Sequence, residues 1–384
     1  MKNTRRSRTL AALCAVGLAA ALCACAPSVP DTLKIGMLVS QTGPYALRGQ
    51  DLVNGAQLAV DEINASNYTL RGKPVKLELV SFDDKGDAET TQQGAEKLVA
   101  DGVTAIIGPM LTPQAAKSIP VIAAAGIPQF FTATAAELTS LGRGNAFRMV
   151  ANDDLQGKAM ASVAIETLKA QRIAAIVESG SYGRGLNQAF VAAMPKAGPQ
   201  VVVTMEVGPK DDVTGEMAAK IKAANVDTVV LFAREQQLVS MFSALQQIGY
   251  TDLKVLGSNV IRNANVAAKP VPVRALYAAA TAIDAGEFPN GATFLKAFRN
   301  KFGTAPVWGA HYSYDAVYAL SDALRHTDSL KSADILVTLK RFDPSTRVLQ
   351  SMRFTESGEQ KYPNIGVYKV ERGKWELQFI SASW

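Results

Sequence analysis

The sequence predicts an α/β protein composed of two lobes, each built around a mostly parallel β-sheet. Apolar segments of strand length alternate with amphipathic segments whose apolar residues recur three and four positions apart, which is typical of successive strand–helix–strand units. The same layering occurs twice without a sequence repeat, and this favours two Rossmann-like lobes over one large sheet. The 384 residues are enough to bury a core in each lobe.

The N-terminal segment, residues 1–24, has the composition of a secretory signal. A basic stretch precedes an apolar run over residues 10–22, which is shorter than the roughly 20 residues that span a bilayer. The signal ends in Leu22-Cys23-Ala24-Cys25, which resembles a bacterial lipobox, so Cys25 is the predicted lipidation site and mature N-terminus. Plain cleavage nearby is the alternative, and Arg5-Arg6 leaves twin-arginine export open. Residues 25–32 are predicted to be a linker.

A first set of strands and helices follows this linker. Strands are predicted at residues 33–39, 75–82, 103–107 and 127–131. Helices are predicted between them at residues 50–64, 88–100 and 113–125.

A second set begins after residue 150. Its predicted strands are residues 173–177, 201–207, 228–232 and 254–256, and its predicted helices are residues 155–169, 186–196, 213–223 and 236–248. The last third mixes both types, with strands near 275–281, 351–354, 364–370 and 376–380 and helices at 293–302 and 311–325. We expect this part to divide between the two lobes.

Cysteine and charge content exclude several classes of protein. The three cysteines, Cys14, Cys23 and Cys25, lie in the signal or directly after it, so no disulfide is expected in the folded part. Four of the 40 Lys and Arg residues belong to the signal, which leaves 36 against 34 Asp and Glu. Because this balance provides no basic surface, we expect no nucleic-acid partner.

The sequence also argues against catalysis. His311 and His326 are the only histidines, and without a cysteine they form neither a Cys/His pair nor a metal cluster. No phosphate-binding glycine loop follows a strand, and the pairs Asp83-Asp84 and Asp211-Asp212 are interpreted as turn residues. We therefore predict no catalytic residue, no metal site and no cofactor.

Seven short motifs together carry a family resemblance. They are Gln41-Thr42-Gly43-Pro44, residues 55–64, Asp83-Asp84, Ile107-Gly108-Pro109, residues 134–139, Tyr182-Gly183-Arg184-Gly185 and Tyr314-Asp315-Ala316. In this order and spacing, from about residue 33 to 379, the chain resembles type I periplasmic binding proteins of the leucine/isoleucine/valine-binding class. These are the substrate-binding subunits of branched-chain amino acid ABC transporters.

The resemblance implies two lobes joined by three crossovers, with a small amino-acid-like or carboxylate ligand held in the cleft. The first lobe is expected to comprise residues 31–149 and 279–343, and the second residues 150–278 and 344–384. It further implies a monomer on the periplasmic or cell-surface side, attached to the membrane by its lipid, with ABC permease and ATPase subunits as partners. A ligand-sensing or cell-envelope regulatory lipoprotein of the same fold is the alternative.

Two predicted helix starts lie where ligands bind in open α/β sheets, beyond the carboxyl ends of strands. Thr112 is predicted to cap a helix that begins at Pro113, and Thr134 with Glu137 matches a capping box. Helix N-termini favour a carboxylate. The resemblance assigns ligand contacts to Thr112, to the carbonyl of Thr132 and to the hydroxyl of Thr134, with ordinary capping as the alternative.

The second lobe contributes one residue that matches the family and several that depart from it. The resemblance brings Tyr182 across the cleft, with simple packing as the alternative. Asn259 stands where amino-acid binders place an acidic residue, and Arg48 and Arg234 stand where aromatic residues are common. Because arginine suits a carboxylate or phosphate, we expect a second polar group on the ligand rather than an aliphatic side chain. Glu235 is an alternative cleft residue.

Overall fold

The structure, a computed structural model, describes residues 29–344, 346–349 and 351–381. The predicted signal and the predicted lipidation site at Cys25 lie outside these residues. Within the described ranges, no helix has both the length and the apolar character needed to cross a bilayer.

The first lobe contains a five-stranded parallel sheet. Its strands lie side by side in the order Lys76–Asp83, Thr32–Val39, Ala105–Ile107, Gln129–Phe131 and Ala146–Arg148. The predicted strands and helices are present with small shifts at their ends. In chain order the elements are β1 (Thr32–Val39), α1 (Ala46–Ala65), β2 (Thr69–Leu70), β3 (Lys73–Pro74), β4 (Lys76–Asp83), α2 (Ala88–Ala100), β5 (Ala105–Ile107), α3 (Thr112–Ala124), β6 (Gln129–Phe131), α4 (Leu138–Leu141) and β7 (Ala146–Arg148).

The second lobe repeats this layering around a seven-stranded sheet. Its elements are α5 (Asp153–Ser162), β8 (Arg172–Glu178), α6 (Ser181–Ala193), β9 (Gln200–Val207), α7 (Gly215–Ala223), β10 (Thr228–Phe232), α8 (Glu235–Gln247), β11 (Lys254–Gly257), α9 (Ala264–Ala268) and β12 (Ala275–Ala280). The strands from β8 to β12 pair in parallel, and their apolar side chains are buried on both faces of the sheet. The predicted two-lobed α/β fold is thus confirmed.

The last third of the chain divides between the lobes, as expected. Helices α10 (Gly291–Phe302), α11 (Ala310–His326) and α12 (Ser332–Arg341) pack in the core of the first lobe. Strands β13 (Ile365–Glu371) and β14 (Lys374–Ser381) add antiparallel to β12, so the second sheet has the order β14-β13-β12-β11-β10-β8-β9. The α11 helix lies against α1, where the Tyr314 hydroxyl donates to Glu62 Oε2 at 2.6 Å.

The third crossover lies later in the chain than the predicted boundary at residues 343/344. Val348, Met352 and Phe354 are buried in the core of the first lobe. The cause is Asp315 of α11, whose carboxylate accepts backbone N–H bonds from residues 347–349 at 2.6 to 3.2 Å. The second crossover also follows the end of β12 rather than residue 278. The strand predicted at 351–354 is reduced to a single bridge from Phe354 to Gln360.

Candidate functional site

A cavity of about 50 Å³ lies between the lobes, beyond the carboxyl ends of the central strands of both sheets. The structure brings all seven sequence-predicted site residues to this cavity. They are Arg48, Thr112, Thr132 and Thr134 from the first lobe and Tyr182, Arg234 and Asn259 from the second. Six further residues complete the lining: Tyr45, Met110, Leu111, Pro113, Val260 and Trp308.

Thr112 lies in the first turn of α3, but it does not cap this helix. Leu111 occupies the N-cap position, and its carbonyl accepts from the Ala115 amide at 2.9 Å. The predicted capping role of Thr112 is therefore wrong, because the helix begins one residue earlier than expected. The correction leaves the buried Thr112 hydroxyl available at a helix N-terminus, where the dipole favours an anion.

Thr132 and Thr134 follow β6 in an extended loop. The Thr132 hydroxyl is buried and has no hydrogen-bond partner among the described residues. No helix begins after Thr134, since α4 starts at Leu138 with Glu137 as its N-cap, so the predicted capping box is wrong. The loop is held by Arg148, whose buried guanidinium donates to the carbonyls of Ala133 and Ala135 and pairs with Glu359 at 3.0 Å. No local sequence pattern indicates that this arginine is buried.

Asp153 lies behind Thr134 at the start of α5. Its backbone amide donates to the Thr134 carbonyl at 2.8 Å, which joins the two lobes at this point. Burial raises the pKa of Asp153 to about 7, and the Thr134 hydroxyl and the Arg148 cation oppose this rise. Thr134 is therefore in contact with a titratable group outside the cavity lining.

On the second lobe, Tyr182 and Asn259 are held by one hydrogen-bond network. The Tyr182 hydroxyl donates to Asn259 Oδ1 at 2.9 Å, and Gln156 Nε2 donates to the same oxygen at 3.0 Å. Gln156 Nε2 also donates to the Ala279 carbonyl at 2.7 Å, which fixes the orientation of its amide. Asn259 therefore has its oxygen occupied and its Nδ2 group without a partner among the described residues.

Arg234 lies at the start of α8, and its charge is already balanced. Its Nε and Nη2 donate to the two carboxylate oxygens of Glu178 at 2.6 and 3.0 Å. It also contacts the Tyr45 hydroxyl, which reaches it from the first lobe. Glu235, the alternative cleft residue, does not line the cavity and instead binds Lys269 and Asn263 at 3.2 and 3.0 Å.

Arg48 lies in the first turn of α1 and forms no ion pair with a carboxylate among the described residues, and the charge of Glu235 acts on it only from a longer distance. A Cβ at Gly49 would be 1.8 Å from the Ser40 carbonyl oxygen, so glycine allows this turn to touch the end of β1. The Arg48 guanidinium lies over the Trp308 ring at 5.6 Å and has no hydrogen bond or ion pair among the described residues. Burial lowers the pKa of Arg48 to about 10.

The position of Trp308 depends on a residue that sequence reasoning missed. The Asp51 carboxylate accepts from the backbone amides of Val307 and Trp308 at 2.6 and 2.9 Å. Asp51 follows Arg48 by three residues on α1, so both side chains lie on the same face of the helix. Asp51 therefore holds the backbone of Trp308, whose ring contacts Arg48. The position of Asp51, one helical turn after Arg48, was the sequence feature that could have indicated this role.

Comparisons with known proteins agree with the two-lobed fold. A family model described as periplasmic binding protein matches residues 32–374. A Leu/Ile/Val-binding protein of Rhizobium johnstonii is 29% identical over 351 residues, covering 91% of this chain and 94% of its own. A leucine-binding protein from Thermotoga maritima has a TM-score of 0.78 at 21% identity, with 91% and 98% of the two chains covered. A solute-binding protein from Rhodopseudomonas palustris in complex with 3,4-dihydroxybenzoic acid has a TM-score of 0.74 at 20% identity, covering 92% and 98%.

Proposed function

The chain belongs to the periplasmic binding protein family, and from this premise we propose that its cleft captures a small carboxylate solute for an ABC importer. Members of this family bind solutes and are not enzymes, so the chain is a solute-binding protein of the periplasm. Its partners are the permease and ATPase subunits of a transporter. The sensor or envelope-regulator alternative is less favoured, because the relatives are named for amino-acid binding or transport.

The observation that carries the proposal is a set of unpartnered polar groups around one cavity. The Thr132 hydroxyl is buried without a partner, Asn259 Nδ2 has no acceptor among the described residues, and Thr112 lies at a helix N-terminus. Buried polar groups are normally hydrogen-bonded, so such a set supports a site completed by a ligand. The N-terminus of α3 favours a carboxylate on that ligand.

We test this function with thermal shift and calorimetry on the purified mature protein. The probes are amino acids, aromatic acids, dicarboxylates and small amides. A ligand that binds only the folded state raises its stability by about 2.7 kcal/mol at a hundredfold excess over Kd. We expect such a rise with one or more carboxylates and little or none with amides. If none of the carboxylates in the panel raised the stability of the protein, the proposal would be contradicted.

Leucine provides a specific check on the ligand class. The cleft presents Arg48, and an aliphatic side chain beside a desolvated guanidinium would leave that charge unsatisfied. Leucine should therefore bind weakly or not at all by calorimetry. Tight leucine binding would show that Arg48 does not select the ligand.

We further propose that the protein is a monomer anchored to the membrane through acylated Cys25. The lipobox-like Leu22-Cys23-Ala24-Cys25 supports the anchor, and the several acyl chains of a bacterial lipoprotein make such attachment stable. Full-length protein should fractionate with membranes, whereas a Cys25→Ser variant should be released or remain unprocessed. An unchanged fractionation of the processed variant would refute the anchor. Light scattering of the mature protein measures its oligomeric state.

A further inference from the structure

The charged side chains that line the cavity are both cations. Arg48 and Arg234 belong to the lining, and no Asp or Glu among the described residues does. Arg234 is neutralised by Glu178, which is only 3% exposed and accepts hydrogen bonds from the Nε and Nη2 atoms of Arg234. Arg48 has no such partner among the described residues, so the cavity has an excess of one positive charge.

The remaining polar groups of the second lobe also favour an acceptor on the ligand. The two donors on Asn259 Oδ1, from Gln156 and Tyr182, direct the amide nitrogen of Asn259 away from them. This nitrogen can only donate. An ammonium group placed here would find no carboxylate among the described residues that line the cavity and would be desolvated close to Arg48, which is unfavourable.

Arg48 is held in a geometry suited to a carboxylate. The Trp308 ring supports one face of the guanidinium, and Asp51 fixes the Trp308 backbone without contributing its charge to the cavity lining. A supported guanidinium presents a planar set of donors that matches a carboxylate bidentately. An anion there would also offset the desolvation that burial imposes on the cation.

We infer that the solute is a small dicarboxylate, with one carboxylate at the N-terminus of α3 beside Thr112 and the second bound by Arg48. This inference rests on the proposed function, because it names the ligand class of the same cleft. A short carbon chain is expected, because Thr112 and Arg48 line the same small cavity. Arg234, unlike Arg48, is not the selecting group because Glu178 already binds it.

The test compares pairs of probes that differ in one charge. Malonate, succinate and glutarate are titrated calorimetrically into the mature protein, each beside its monoamide, with leucine as a further probe. We expect at least one diacid to bind about 10- to 100-fold tighter than its own monoamide, since charge-assisted hydrogen bonds are lost in the amide. Equal affinities for every diacid and its monoamide would overturn the inference while leaving the proposed function intact. No binding by any of the diacids would also overturn the inference, and the proposed function would fall only if no carboxylate of the wider panel bound.

Variants assign the second carboxylate to Arg48. Arg48→Gln should weaken the diacid by about 10- to 100-fold and the monoamide by much less, so that the preference between them is lost. Arg184→Gln is the matched control, because this substitution removes the same charge at a distance from the cavity. Arg184 lies on the surface of the second lobe, where it pairs with Glu206. The Arg184→Gln substitution should leave both affinities unchanged. A retained preference in Arg48→Gln, with its folding confirmed by circular dichroism, would overturn the assignment.

Discussion

Arg234 and Glu178 form a two-point ion pair on the wall of the cleft, with Nε and Nη2 bonded to the two carboxylate oxygens at 2.6 and 3.0 Å. Glu178 ends β8 and is buried, whereas Arg234 precedes α8. The pair thus joins two neighbouring strand ends, since β8 and β10 are adjacent in the sheet. It also removes one arginine from the set of groups free to bind a solute.

Glu178→Gln should lower the stability of the protein, because the variant leaves the Arg234 charge without its partner. We expect a loss of about 1–3 kcal/mol in the free energy of unfolding by urea denaturation. Glu206→Gln is the matched control, since it removes the same kind of two-point pair, with Arg184, from a site that is about half exposed. Its loss should be much smaller, because exposed ion pairs contribute little to stability. Equal losses in the two variants would contradict a special role for the cleft pair.

The contact between Tyr45 and Arg234 crosses the cleft, and we expect it to favour the closed arrangement of the lobes. Tyr45→Phe removes the hydroxyl and should shift the open–closed equilibrium toward open by about 0.5–1.5 kcal/mol. Small-angle scattering should then show a larger radius of gyration without ligand and a smaller ligand-dependent decrease. Tyr250→Phe, which removes one hydrogen bond within the second lobe, should leave both values unchanged. An identical scattering response in the two variants would rule out this contact as a closure element.

Much of the fold and the position of the site follow from sequence pattern alone. Alternating apolar strands and amphipathic helices predict the two sheets, and the carboxyl ends of those strands define where polar loop residues meet. The family resemblance, rather than the pattern, assigned Thr132 and Asn259, far apart in the chain, to one cleft, and both line the cavity. Their contacts with a ligand stay a prediction.

The errors arose where a distant side chain overrides a local pattern. Thr134 and Glu137 have capping-box spacing, but no helix begins directly after Thr134. Arg148 binds the carbonyls of Ala133 and Ala135 and holds this stretch as a loop. Buried arginines cannot be distinguished from exposed ones by periodicity. Whether Arg48 or Arg234 is neutralised likewise depends on Glu178, which lies 56 residues from Arg234 in sequence.

Asp315 explains the late third crossover, and its removal should loosen that segment. Asp315→Ala loses hydrogen bonds from the amides of residues 347–349 and leaves the buried amides of Val348 and Leu349 unpaired. We expect a loss of about 2–4 kcal/mol in the free energy of unfolding and faster amide exchange at these residues. Asp328→Ala, at an exposed position just after the same helix, is the comparison variant and should cost less. Unchanged exchange at residues 347–349 would show that Asp315 does not hold the segment.

Asp153 should make the stability of the protein depend on pH near neutrality. Burial raises the pKa of Asp153 in the folded state from its usual value of 3.8 to about 7, so the folded protein favours the protonated acid. The resulting stabilisation is complete below about pH 4 and is lost as the pH rises through about 7. Asp51 and Asp315, with pKa values raised to about 6 by burial, act in the same direction over a lower range. Burial lowers the pKa of His311 to about 4, which acts in the opposite direction below about pH 6.5. The Tm should therefore fall as the pH rises from 6.5 to 8.5.

Asp153→Asn isolates this contribution, because the variant is neutral at every pH. The groups around Asp153 are Thr134, Arg148, Glu137 and Asp154, and Arg148 remains paired with Glu359 in the variant. We expect a flatter dependence of Tm on pH and a higher Tm than wild type at pH 8.5. Asp154→Asn, at the exposed neighbouring position, should keep the wild-type dependence. A wild-type Tm that rises between pH 6.5 and 8.5, or an Asp153→Asn profile that matches wild type, would show that Asp153 does not carry its proton at neutral pH.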